Sequence, residues 1–339
     1  MPLAALRPGL QLGPGTLRLL LAIVVVVSHL SALNIGRPAV VIFFVLSGYW
    51  VSLRWLGGAD EPVKFALVRT LRVWPLFALV SLATWAGLGA LGLPRSPDPA
   101  AGLLLLGSAS RGDMVLMVAW SLDLELQYYL SVPLLWLAAR RLPAAQLWLL
   151  GGAAWALGVW LMQRGAWNFL AFLPAFAAGM WLAQARWAAG PRQALAGIAA
   201  FVAIGAGLAA WPAARPLLLK APGLPLVVEQ MGHLAWSAAL LPLAAYVLAG
   251  PSSPRDRALG DASYALYLVH SPVITLLAAA LALGGMALKL AALPAIALAT
   301  LALYLWVDRP LEAARRQRSA GLLVTPGFAP LNSERKRPN

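Results

Sequence analysis

The chain has 339 residues, 61% of them hydrophobic and only 11% charged, and 26 Lys and Arg against 12 Asp and Glu give a formal net charge of +14. A mean hydropathy of +0.77 excludes an ordinary soluble domain, in which about 25% of residues are charged. Zero cysteines exclude disulfides, thiolate metal sites and an acyl-cysteine intermediate.

Ten apolar segments follow one another, at 17–33, 38–55, 74–93, 118–139, 145–163, 168–185, 194–211, 230–249, 262–283 and 290–307. Each has a length suited to crossing a bilayer as a helix. The predicted fold is therefore an all-α polytopic integral membrane protein with about ten transmembrane helices. No strand pattern or separate soluble domain interrupts it. Residues 1–312 read as one transmembrane domain, and 313–339 as a basic, disordered cytoplasmic tail. With the N-terminus cytoplasmic, 19 basic residues fall on the cytoplasmic side and 7 on the other, so both termini are expected to be cytoplasmic. Basic loops facing anionic headgroups account for the net charge, and no nucleic-acid partner is expected. The first segment lacks a small-residue cleavage site and reads as an anchor rather than a signal peptide. The stretch 94–117 has room for a re-entrant helix.

The first segment carries Arg18 and, eleven residues later, His29. Eleven residues are three helical turns, so the two side chains share a face about 16 Å apart. That puts a cation at the mouth and an imidazole near mid-bilayer. Ionisable groups at that depth are costly and point to function. In the second segment, Ser47-Gly48 suits close helix approach better than a nucleophile, because Gly-x-Ser-x-Gly is absent. Just before the third, Arg69 and Arg72 are three apart and can clamp a phosphate from one helical face. The fourth holds Asp123 and Glu125, which point about 200° apart on a helix. Glu125 shares its face with Ser121, Tyr128 and Tyr129 and reads as site-lining. Asp123 shares its face with Gln127 and reads as a structural group between helices. Near the start of the eighth segment, His233 follows Glu229 by four residues and reads as interfacial, or as a local pair with that carboxylate. His270 lies in the ninth. These three histidines have no short ligand spacing, so no metal and no permanently bound cofactor are expected.

Taken in order, these residues resemble the motifs of the membrane-bound acyltransferase 3 family, which acylates sugars of bacterial envelope polymers and some small molecules. Leu17-Arg18…His29 resembles its basic-residue-and-histidine first helix. Phe43-Phe44-Val45-Leu46-Ser47-Gly48-Tyr49 is similar to its second-helix signature. Arg69-Thr70-Leu71-Arg72-Val73-Trp74-Pro75 resembles its third element, and Trp120-Ser121-Leu122…Glu125…Gln127-Tyr128-Tyr129…Pro133 its fourth. Phe172-Leu173-Pro174-Ala175-Phe176…Gly179, Ser263-Tyr264…Tyr267-Leu268…His270…Pro272 and Asp308-Arg309-Pro310 complete the series. The family more often has Glu at Asp308. The likeness covers about residues 15–312.

The resemblance implies a bacterial inner-membrane O-acyltransferase. Its donor is an acyl-CoA on the cytoplasmic side, usually acetyl-CoA, and its acceptor is a hydroxyl of a sugar or envelope polysaccharide precursor. Arg18, Arg69 and Arg72 would hold the donor's phosphates, with the pantetheine arm running along the Arg18–His29 face. His29 would be the general base, its imidazole having an ordinary pKa near 6.5, or an acyl-accepting nucleophile. Glu125 and His270 would each orient the imidazole or bind the acceptor, and His270 has a structural alternative. Trp120 would stack on the sugar, with Tyr128 and Ser47 in support. Some relatives carry a periplasmic hydrolase-like domain, so this chain is expected to act alone or with a separate periplasmic partner. Two other readings stay open. The acceptor would be a macrolide, glycolipid or other small natural product, or the protein would be a lipid-linked sugar transporter, although no inverted repeat is evident.

Overall fold

A computed structural model describes residues 12–56 and 62–314. Arg7 and all of the predicted tail beyond 314 lie outside the described residues. Within them every regular element is a helix. These are α1 (Pro14–His29), α2 (Gly36–Leu56), α3 (Pro62–Ala90), α4 (Pro99–Leu103), α5 (Ser108–Arg111), α6 (Ala119–Arg141) and α7 (Ala144–Gln163). They continue as α8 (Leu173–Ala185), α9 (Pro191–Ala210), α10 (Arg215–Leu218), α11 (Leu226–Ser237), α12 (Leu241–Leu248), α13 (Pro254–Ala280) and α14 (Gly285–Leu303).

Among the described residues, seven helical stretches are long and apolar enough to cross a membrane: Gly36–Arg54, Val63–Ala90, Ala144–Gln163, Pro191–Ala210, Leu226–Leu248, Pro254–Ala280 and Gly285–Ala314. The other three predicted spans coincide with helices that do not meet that test. The helix α1 has 16 residues, about 24 Å at 1.5 Å per residue. Phe169–Ala185 is also short. The 23-residue α6 has the length, but Asp123, Glu125, Gln127, Arg140 and Arg141 lower its hydropathy.

Several boundaries differ from those predicted. The third helix begins at Pro62 and runs for 29 residues, so Arg69 and Arg72 lie inside it rather than before it. Basic residues near a helix end can project beyond the apolar core and need not break the helix. The eighth span is two helices joined by a 3-10 turn at Ala238–Leu240, with Pro242 opening the second. The stretch 94–117 forms two single-turn helices, α4 and α5, in place of a re-entrant helix. Asp98 caps α4 through the Ala100 and Ala101 amides, and Gly107, at φ +76, makes the left-handed turn into α5.

Asp123 explains how that stretch is held. It is fully buried and accepts from the Gly107 amide at 2.7 Å, the Ala109 amide at 3.0 Å and Gln127 Nε2 at 2.9 Å. It ties the loop to α6, in agreement with the structural role read from its helical face.

Helices in lipid associate through close packing and hydrogen bonds, because tails and side chains are equally apolar. The helix α2 is the most enclosed of the seven and packs along α8. A Cβ on Gly48 would strike the Phe176 carbonyl, and one on Gly179 would strike the Val45 carbonyl. Phe44 stacks on Phe176 at 4.9 Å and Tyr128 stacks on the other side of that cluster at 4.0 Å. The second tight seam joins α1 to α13. The Cβ missing from Gly15 would meet the Asp256 carbonyl, and a Cβ on Gly260 would come within 3.0 Å of the Gly15 Cα. Asp256 accepts from the amides of Gly15 (3.0 Å) and Thr16 (2.8 Å), the Thr16 hydroxyl (2.8 Å) and the Ser252 hydroxyl (2.9 Å). A carboxylate from α13 thus satisfies the free amides at the start of α1.

Gly48→Ala and Gly179→Ala are each expected to destabilise the protein by about 1–3 kcal/mol through backbone collision. Gly151→Ala, whose Cβ meets nothing within 4 Å, should hold or raise stability. Thermal unfolding in detergent checks the contrast. Asp256→Ala removes the carboxylate from the α1 N-terminus and is expected to cost about 1–2 kcal/mol in the same assay.

Candidate functional site

A cavity of about 540 Å³ opens between α1, α2, α3, α6 and α13. The sequence-predicted Arg18, Ser47, Arg69, Arg72 and Glu125 all line it. Arg18 comes from the first turns of α1, beside the Gly15–Gly260 contact, and its Nη1 lies 3.7 Å from the Cβ position of Gly260. Arg69 and Arg72 come from one face of α3. The Arg69 guanidinium sits over the Phe65 ring at 5.3 Å, and Arg72 Nη2 pairs with Asp261 at 3.0 Å. Three guanidinium groups from two helices therefore meet at one mouth. Arg18 is within electrostatic reach of Arg72, Glu125 and Asp261.

Carboxyl groups stand among these cations. Asp261, Glu125, Asp308 and Glu312 line the same cavity, with Arg257 as a fourth cation. Asp308 reaches it because the last helix opens into a π turn at Tyr304–Asp308. Such turns redirect a side chain without ending a helix. Asp261, Arg257, Tyr264 and Glu312 were missed by the sequence reading. Of these only Tyr264 stood within a quoted motif, and Asp261 lies just before the ninth predicted segment, with nothing in the sequence to mark it.

Glu125 occupies the inner wall. Its Oε1 accepts from the Tyr129 hydroxyl at 2.5 Å and from the Ser47 hydroxyl, and the two hydroxyls lie 3.2 Å apart. Its partners are thus on α2 and α6, and His29 is not among them. Tyr128 does not follow Glu125 into the cavity. It is fully buried against Phe176, which corrects its reading as a supporting residue facing the site. Ser121 and Tyr129 are the face-sharing residues that do line it.

Phe43, Ser121 and Tyr267 form part of the cavity wall. The Phe43 and Tyr267 rings stand 6.2 Å apart, and the Tyr267 hydroxyl pairs with Ser121 Oγ at 2.7 Å. The histidines lie beyond this wall. His270 follows Tyr267 by one turn of α13, their ring centroids 5.8 Å apart. His29 meets His270 edge-on, with centroids at 4.9 Å. Arg18 and His29 are on one continuous helix as predicted, but His29 is its last residue rather than a mid-helix group. The chain turns there, and Lys220 donates to the carbonyls of Ser28 and, at 3.2 Å, Ser31. Burial, followed by the charge of Arg37, lowers the pKa of the Lys220 ammonium.

Around that far end sits a second polar group. Arg37 pairs with Glu229 at 3.4 Å and lies 5.5 Å over the Trp120 ring. Trp120 also packs against Trp167 at 5.2 Å. It does not line the cavity. Glu229 takes a second bond from Asn34 at 2.8 Å. His233, read as interfacial, is instead fully buried, with Nε2 2.7 Å from the Leu217 carbonyl.

Glu125→Ala would strand the Ser47 and Tyr129 hydroxyls in a buried wall and is expected to cost about 1–3 kcal/mol. Glu125→Gln keeps an acceptor oxygen and should cost less. Equal thermal shifts for the two variants would contradict this arrangement.

The model of a family described as acyltransferase domain matches residues 13–309. No curated protein and no solved structure gave a match. The matched stretch starts just before α1 and runs past Asp308, so it takes in both the cavity wall and the histidine pair. The chain belongs to the acyltransferase 3 family.

Proposed function

We propose that this membrane acyltransferase moves an acyl group, acetyl by our reading, from acyl-CoA to a hydroxyl of a sugar or envelope polysaccharide precursor. The observation that carries the reading is the gathering of Arg18, Arg69 and Arg72 at one end of a cavity that runs along α1 and α13 toward His29. Guanidinium groups suit the phosphates of a CoA, because their donors match phosphate oxygens in pairs. A phosphate arriving at Arg72 would compete with Asp261 for its guanidinium. The apolar side of the cavity, with Val40, Phe43, Leu46 and Trp50, suits the slender pantetheine arm.

His29 is the base in this account. A bare imidazole nitrogen takes the proton as the acceptor hydroxyl attacks the thioester carbonyl. The O–H bond breaks, an ester C–O bond forms and the C–S bond breaks. The proton then leaves His29 for the sulfur, giving free CoA thiol. To reach His29 the thioester must pass the Phe43–Tyr267 pair. Glu125 belongs with the donor cavity rather than with the imidazole, since Ser47 and Tyr129 hold it there. Trp120, half-buried beside Arg37 and Trp167, presents an aromatic face at the far end, which suits a carbohydrate acceptor. The inner-membrane location and the cytoplasmic termini are part of the same proposal.

Protein in nanodiscs given labelled acetyl-CoA should release CoA thiol and pass the label to a hydroxyl acceptor. His29→Ala is expected to lower kcat at least about a hundredfold. Arg18→Ala and Arg69→Ala should chiefly raise KM for acetyl-CoA, by about tenfold or more, the loss of roughly 1.4 kcal/mol of binding. Near-full turnover in His29→Ala would refute the base assignment. Absence of any CoA release with a full set of acceptors would favour transport over transfer.

A further inference from the structure

We infer that His270 is a positioning residue that fixes the tautomer of His29. The inference rests on His29 being the base, but its test does not require acyl transfer. His270 is fully buried in α13. Its Nδ1 lies 3.2 Å from the Leu266 carbonyl, one turn back along the same helix. A carbonyl oxygen only accepts, so Nδ1 carries the proton. In a neutral imidazole the other nitrogen then has a bare lone pair, and Nε2 is buried with no hydrogen-bond partner. A buried acceptor without a donor costs stability, and one that persists needs a reason.

Two rings carrying polar groups stand beside it. The Tyr267 ring is close, but its hydroxyl is engaged by Ser121 Oγ at 2.7 Å and the Val118 carbonyl at 3.3 Å. The other is the His29 ring, edge-on at 4.9 Å between centroids. A small rotation of either ring lets an N–H of His29 point at His270 Nε2. The N–H of His29 is then committed to one side. Its second nitrogen is left bare and turned away from α13, as a general base requires. When that nitrogen takes a proton, the bond to His270 remains and steadies the imidazolium. Second groups that set a histidine's tautomer in this way are a general device.

The chain has only three histidines, so a full-length protein labelled with 15N-histidine and held in lipid bilayers gives three resolvable imidazoles. His29→Gln and His233→Gln assign the signals. At a pH where the rings are neutral, His270 is expected to show its proton on Nδ1, and His29 to show one tautomer. In His270→Phe the His29 signals should move to the averaged pattern of two tautomers. In His270→Gln, whose amide oxygen can accept the bond, the single tautomer should return. Acetyl transfer should follow the same order, with His270→Gln well above His270→Phe in kcat and both near wild type in KM for acetyl-CoA. A proton on Nε2 of wild-type His270 overturns the inference, even if neither variant folds. So does an unchanged His29 pattern in His270→Phe. A fixed tautomer in a protein that transfers no acyl group would instead count against the catalytic reading and leave the pairing intact.

Discussion

The contact between α1 and α13 decides where the polar groups of this protein stand. The two helices run parallel and touch through Gly15 and Gly260, with Asp256 bonded to the first amides of α1. Any side chain at Gly15 would push α1 away from the Asp256 backbone. At the start of the seam Arg18 is delivered beside Asp261 and Arg72. About 16 Å further on, His29 is delivered against His270. In lipid this register is not driven by apolar burial, so steric fit and a few buried hydrogen bonds carry it. Two glycines and one carboxylate therefore link the cation cluster to the histidine pair.

That geometry separates two environments along one helix pair. One is a cavity with arginines and carboxyl groups interleaved, Glu125 fixed by Ser47 and Tyr129, and an inner wall of Phe43 and Tyr267. The other is the far end, where His29 lies within electrostatic reach of Arg37 and Lys220, and Arg37 in turn pairs with Glu229 and lies over Trp120. A transferase with a donor on one side and an acceptor on the other needs this separation, and a short passage between them.

Much of this could be read from residue order. The Arg18–His29 spacing predicted a shared helix, which α1 provides. The 200° between Asp123 and Glu125 predicted different roles, and one is indeed buried in backbone bonds while the other lines the cavity. The three-residue step from Arg69 to Arg72 predicted one face. What periodicity does not reveal is which helices touch. Tyr128 sits a helical turn from Glu125 and still points into Phe176, because α8 fills that side. His29 ends its helix because the chain must turn at Ser31 to begin α2, a tertiary demand with no local breaker residue. The partner of Arg72, Asp261, is 189 residues away, and the Arg37–Glu229 pair is equally non-local. Helix ends were the least legible feature, since Arg69 and Arg72 read as a boundary when α3 simply extends past them.

The central claim is that the arginine mouth binds the donor while the far end of the same helix pair does the chemistry. Calorimetric titration of CoA into the purified protein in nanodiscs tests it most directly, with wild type, Arg18→Ala and His29→Ala side by side. The account predicts that wild type and His29→Ala bind CoA alike, while Arg18→Ala binds at least about tenfold more weakly, a loss of roughly 1.4 kcal/mol. Loss of binding in His29→Ala with Arg18→Ala unaffected, or no binding by the wild type, would contradict it.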